Sequence, residues 1–194
     1  LQLSHQNTSY QEITGLHENF PIHAWLANHD AVGTGPENPL GNIMVDKGGK
    51  AHVIDTGGGL LYKGTGTKKA KFTPEVDELQ TMADPNYSHL SAEVFGGIDP
   101  NVAKVGAQRI ANVDDLQIAK LVETYGPSNV FEKMNLLNTL LKRKQAVMEH
   151  YGVQPGGKAE AAPKTAPKPE PTPDPYEHKP FTKEEYEKWA EDQP

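Results

Sequence analysis

The sequence predicts an α+β domain, mostly helical and built around one β-hairpin, followed by a proline-rich tail and a short terminal helix. Three observations carry this. Apolar residues recur at helical spacing around residues 20–26 and again through most of 74–151. Two short β-rich runs, "NIMVD" and "KAHVID", flank Lys47, Gly48 and Gly49. Nine of the sixteen prolines lie at or beyond Pro155.

The first helical pattern is Phe20, Ile22, Trp25 and Leu26, and it stops at Asn28 to Asp30. A polar loop, "HDAVGTGPENPLG", leads into the hairpin. Gly57, Gly58 and Gly59 then break the β pattern, and "LLYKGTGTKKAKF" reads as an extended, basic and solvated loop carrying Lys63, Lys68, Lys69 and Lys71. Thr73 before Pro74 reads as an N-cap with a first-turn proline, opening a helix over "PEVDELQTMAD". Further short helices are expected in "SHLSAEVFGG", "DPNVAKVGAQRIAN" and "DDLQIAKLVETYG". The last helix starts at "SNVFEKM" and closes at Gly152. Val130, Met134, Leu137, Leu141, Met148 and Tyr151 are expected on its buried face, and the "KRK" of 142–144 on its solvated side.

Three segments follow: residues 1–152 as the domain, 153–180 as a disordered linker, and 181–194 as a helix. The linker alternates Pro with Lys, Glu, Ala and Thr and has too little apolar surface to offset its ordering entropy. In the terminal segment Thr182 and Glu185 form a capping box, with Phe181, Tyr186 and Trp189 available to dock on a partner.

Composition narrows the function. Of 194 residues, 36% are hydrophobic, enough for a modest core, and the formal net charge is -7. That charge argues against nucleic-acid and anionic-membrane partners, which need a surplus of Lys and Arg. With no cysteine, thiolate metal sites are excluded. No apolar run reaches the length needed to cross a bilayer, and the polar start "LQLSHQNTSYQE" lacks the features of a signal peptide. The missing initial Met points to a fragment or processed chain. His23, His29 and His52 have no spacing that supports a transition-metal site.

One constellation carries chemistry. Asn42 stands just before one hairpin strand and Asp55 just after the other, so antiparallel pairing brings both to the same end. An Asn carbonyl and an Asp carboxylate are hard oxygen donors of the kind that hold Mg²⁺, which keeps several of its waters. Phosphoryl transfer asks for such ligands together with a carboxylate near the acceptor hydroxyl.

On these residues the stretch "GNIMVDKGGKAHVIDTGG" resembles the catalytic segment of the phosphoinositide lipid kinases and of HipA-type serine/threonine kinases. There an Asn-Ile-Met/Leu strand, a Gly-containing turn and an Ile-Asp-x-Gly strand follow a catalytic Asp. The wider stretch from "HAWLANHDAVG" to "HVIDTGGGLLYKGTG" is similar to HipA-like, phosphoinositide-kinase-like domains of bacterial and phage proteins. The resemblance covers about residues 20–72. It implies a kinase-like C-lobe that uses ATP and Mg²⁺, with Asn42 and Asp55 as metal ligands and Asp30 as the catalytic carboxylate. Gly57 is then the glycine of the Asp-x-Gly turn and Lys63 a cofactor-binding side chain. Glu37 is the rival of Asp30, since it stands five residues before Asn42, the spacing of the protein-kinase pattern, whereas Asp30 stands twelve before it. With Asp30 in the role, "GTGPENP" is expected to bulge out as a loop.

Only 29 residues precede Asp30, so the N-terminal lobe of such a fold is expected outside this chain, in a larger parent protein. The implied acceptor is a protein Ser/Thr, and the implied location is the cytoplasm of a bacterial or phage-infected cell, or a delivered effector or virion protein. The alternative is a non-catalytic, degenerate kinase-like module of a larger phage, mobile-element or effector protein.

Overall fold

The computed structural model describes residues 10–33 and 40–159. These form a mostly helical unit with one two-stranded antiparallel hairpin. After a 3₁₀ turn, Tyr10–Glu12, the elements are α1 (Phe20–Trp25), β1 (Ile43–Val45), β2 (Ala51–Val53), α2 (Glu78–Thr81), α3 (His89–Phe95), α4 (Pro100–Ala111), α5 (Asp115–Tyr125) and α6 (Val130–Tyr151). Glu37 with nearly all of the expected "GTGPENP" bulge, the expected terminal helix and most of the proline-rich tail lie outside the described residues.

The hairpin pairs Ile43 with Val53, Met44 with His52 and Val45 with Ala51. Its turn is organised by Asp46, whose Oδ1 accepts from Gly48 N and Lys50 N and whose Oδ2 lies 3.0 Å from His52 Nε2. The His52 bond, helped by those backbone amides, holds the Asp46 carboxyl down at about 2. Gly49 supplies the left-handed residue of the turn at φ 79°.

Two apolar clusters form the core, and α1 contributes to both. Phe20, at its start, packs with Leu16, Val32, Leu40, Ile43, Met82 and Phe95 beneath the hairpin. Trp25, at its end, packs with Ile110, Ile118, Val122, Leu136, Leu140 and Val147 between the long helices, and its Nε1 donates to Leu140 O at 3.0 Å. A six-residue helix is thereby fixed from both sides. The later helices have local stop and start signals. Ser88, Asp99, Asp114 and Asn129 each cap a helix through the side-chain oxygen, and Gly152 closes α6 at φ 60°.

Several expectations are corrected. The helix predicted from Thr73 and Pro74 begins only at Glu78, because the Thr73 and Glu75 carbonyls accept from Arg143 Nη1 and are not committed to a helical ladder. The most deeply buried line of α6 is Leu136, Leu140, Arg143, Lys144 and Val147; of the expected face, Leu137, Leu141, Met148 and Tyr151 pack partly buried against the second cluster, whereas Val130 and Met134 are 65% and 56% exposed. The helix starts before it reaches the core, and its deepest line runs beside the expected one. Arg143 and Lys144 are therefore buried, not solvated. Lys144 Nζ donates to Val113 O and, at 2.7 Å, to Asp115 Oδ1.

The basic loop is not extended. Tyr62 and Lys68 form an antiparallel bridge, and Lys63 N donates to Thr67 O and Gly66 N to Lys63 O, which fold it into a compact turn. Beyond Gly152, Val153 is 2% exposed and Gln154 O accepts from Gln108 Nε2, so the first residues of the segment read as linker pack on α4. Among the described residues, no helix is long and apolar enough to cross a membrane.

Candidate functional site

Three turns meet beside the open end of the hairpin, and each carries a residue the sequence singles out. The first runs from the end of α1 through Ala27 (φ 53°) to Asp30. The second enters β1 through Leu40 (φ 62°), and the third follows β2 through the glycines to Leu60 (φ 56°). A non-glycine residue in the left-handed region is uncommon and costs free energy that the surroundings must offset. All three such residues among those described flank this one site.

Asp30 and Asn42 are joined directly: Asn42 Nδ2 donates to the Asp30 carbonyl at 2.6 Å. The twelve-residue separation is closed at its base by Leu40 N donating to Gly33 O at 2.9 Å. Asn42 O in turn accepts from Ile54 N at 2.9 Å, which sets Asp55 at the same end of the hairpin as Asn42. The Asp55 carboxylate is exposed, and its Oδ1 accepts from Gly57 N at 2.8 Å. Gly57 thus orients Asp55 through its amide. No described residue donates to Asn42 Oδ1 or to Asp55 Oδ2.

The side chain of Asp30 is enclosed by two glycines. A Cβ on Gly58 would lie 2.9 Å from Asp30 Cβ and 2.9 Å from Asn28 Oδ1, and one on Gly64 would lie 2.5 Å from Asp30 Oδ2. Both backbones approach Asp30 as closely as they do because they lack a side chain. Asn28 itself is 2% exposed and its Oδ1 has no partner among the described residues.

Asp30 lines a cleft of about 650 Å³ together with His29, Gly58, Lys63, Gly64, Thr65, Lys69, Lys71, Glu78 and Tyr87. Asn42 and Asp55 do not line it. The sequence-predicted residues therefore fall into two linked sets, with Asp30 and Lys63 in the cleft and Asn42 and Asp55 at the hairpin end behind it. Among the described residues no three His, Asp or Glu side chains gather as a metal cluster. The oxygens left over are the Asn42 carbonyl and one carboxylate oxygen of Asp55, and that donor set fits a hard, water-retaining cation such as Mg²⁺.

Several residues of the cleft carry no sequence signal. Lys69, read as part of a solvated run, is half-buried, and its Nζ donates to Ala27 O at 2.5 Å and Gly58 O at 2.7 Å. Burial pulls its ammonium down to about 8, with Glu78 acting the other way and Arg143 adding to the shift. Glu78 accepts from Arg143 Nη2 at 2.6 Å and lies 3.5 Å from His29 Nε2. Burial pushes its carboxyl up, but the bonds from His29 and Arg143 outweigh that and hold it below the ordinary value. His29 stacks on Tyr87 with ring centroids 5.3 Å apart. His52 does not line the cleft and pairs with Asp46. No family model matches the chain, and no curated protein or solved structure matches it.

Proposed function

We propose that this chain carries the phosphotransfer centre of an ATP- and Mg²⁺-dependent enzyme of the HipA-like, phosphoinositide-kinase-like type, with protein Ser/Thr as the acceptor. The observation that carries this reading is the bond from Asn42 Nδ2 to the Asp30 carbonyl. It couples the backbone of Asp30, whose side chain lines the cleft, to the residue whose remaining oxygen suits a metal. Because Nδ2 is spent on Asp30, the amide is oriented and Oδ1 is the atom left for coordination.

In this reading Asp30 hydrogen-bonds the acceptor hydroxyl and takes up its proton as the oxygen attacks the terminal phosphorus of ATP, the bond from that phosphorus to the β,γ-bridging oxygen breaks, and ADP leaves. Asn42 Oδ1 and Asp55 would hold Mg²⁺, which would supply neutralising charge to the phosphates. Lys63, in the cleft with Asp30, supplies positive charge toward a phosphate. Gly57 keeps the Asp55 carboxylate oriented. The test is transfer of labelled phosphate from MgATP by the full-length protein. Loss of transfer in Asp55→Ala and Asp30→Asn is expected, and an Asp55→Ala variant as active as wild type overturns the assignment.

A second reading is favoured by one observation: Asp55 is exposed and does not line the cleft that holds Asp30. A non-catalytic binding or structural module of a larger protein needs no such convergence. MgATP added to the chain separates the two, because a ligand that binds only the folded state raises the apparent melting temperature. A rise that is lost in Asn42→Ala supports the enzyme, and no rise supports the module.

A further inference from the structure

We propose that Lys69 is a positioning residue for Asp30: its side chain clasps the turn that ends α1 to the glycine turn that follows the hairpin, and this clasp sets where the Asp30 carboxylate stands. The two carbonyls it joins, Ala27 O and Gly58 O, belong to segments 31 positions apart in the chain. Ala27 is one of the left-handed residues and lies three residues before Asp30. Gly58 is the backbone against which Asp30 Cβ rests.

The main chain alone ties these turns sparsely, through Leu60 N donating to Leu26 O at 2.6 Å. Asn28, the buried polar side chain at the same junction, contributes no bond through Oδ1. Lys69 is itself fixed at its base, since its N donates to Leu61 O at 2.8 Å. The ammonium is faced by Glu78 and Arg143 and shares the cleft with His29, Asp30, Lys63 and Lys71. A half-buried ammonium needs acceptors for its N–H groups, and the two carbonyls provide them. A displacement of Asp30 of the order of 1 Å is enough to cost about a hundredfold in a reaction that depends on alignment.

The inference rests on the phosphotransfer reading for its kinetic readout only. The chain has no cysteine, so Lys69→Cys introduces a single thiol into it. Alkylation with 2-bromoethylamine forms a C–S bond with loss of bromide and restores an ammonium at nearly lysine length, whereas iodoacetamide leaves a neutral amide. In the 194-residue chain, Lys69→Cys is expected to speed amide exchange in 26–33 and 57–64 by about tenfold or more and to shift the Asp30 carboxyl carbon resonance. Aminoethylation should return both, and the neutral adduct neither. In the full-length protein kcat should fall and recover in parallel while the KM for MgATP stays within about twofold. Unchanged exchange and resonance in Lys69→Cys, or equal recovery with both reagents, overturns the clasp. If wild type shows no transfer, the phosphotransfer reading fails, and exchange and the Asp30 resonance still decide the clasp.

Discussion

Arg143 and Glu78 form a buried ion pair, Nη2 to Oε2 at 2.6 Å, between the middle of α6 and the first residue of α2. The same guanidinium donates to Ala24 O and Trp25 O at the end of α1 and to Thr73 O and Glu75 O, and it lies 5.0 Å above the Phe72 ring. One side chain thus closes the C-terminal carbonyls of the helix before Asp30 and fixes the segment that lines the other side of the cleft. Arg143→Met leaves the Glu78 carboxylate and four carbonyls without that partner. A loss of about 3 to 5 kcal/mol is expected in urea unfolding. Arg143→Lys should recover only part of it, because a single ammonium cannot reproduce the planar fork.

Asn42 anchors the hairpin to the Asp30 turn. Asn42→Leu removes the donor and leaves the part-buried Asp30 carbonyl without it, so a loss of about 1 to 2 kcal/mol is expected. Asn42→Asp should cost more, since an acceptor oxygen then faces the carbonyl. Chemical denaturation of both variants checks the order.

Gly58 and Gly64 enclose Asp30 with different consequences. A Cβ at Gly64 meets the Oδ2 end of the Asp30 side chain, so the carboxylate must turn to admit it. Gly64→Ala is therefore expected to lose less stability than Gly58→Ala and, under the proposed phosphotransfer reading, to lower transfer at least about tenfold. A Cβ at Gly58 meets Asp30 Cβ and Asn28 Oδ1, which cannot swing, and Gly58→Ala should lose about 1 to 3 kcal/mol. Equal stability losses in the two variants would contradict this picture.

Acid should destabilise the fold through two buried histidines. Burial holds His23 down at about 4, and burial also lowers His17, against the bond its Nε2 donates to Val94 O. Unfolded, both take up a proton near the ordinary 6.5. For His23, between pH 6.5 and 4 the unfolded chain binds more protons than the folded one, so its contribution is lost as pH falls through that window. His23 alone accounts for about 3 kcal/mol over the full range. Urea midpoints at pH 7 and pH 5 measure it, and His23→Leu should remove about 2 kcal/mol of the difference.

Elements with local signals were legible in the sequence. The hairpin, α1, and the helices opened by Ser88, Asp99 and Asn129 follow from periodicity, capping and turn chemistry, as does the stop at Gly152. The placements that failed share a physical cause, which is that long-range partners decided them. Arg143 and Lys144 read as solvated because charge usually is, yet the carbonyls that bury Arg143 are contributed by residues 68 to 119 positions away. Thr73 and Pro74 are a sound local helix start, overridden by the same guanidinium. At the candidate site the sequence marks Asn42 and Asp55 by type and spacing, and Asp30 through the family resemblance. It does not reveal that Gly58 and Gly64 exist to admit Asp30, or that Lys69 is drawn inward, because neither fact has a period or a motif.

The bond from Leu40 N to Gly33 O has a consequence for how such a chain tolerates change. It pins the two ends of residues 34–39 together, so the Asp30–Asn42 contact does not depend on how many residues lie between the pins. Closing a longer loop costs little extra entropy, about 0.6 kcal/mol for each doubling. The pinned pair Gly33 and Leu40, and not the length of chain between them, therefore fixes where Asn42 meets the Asp30 carbonyl.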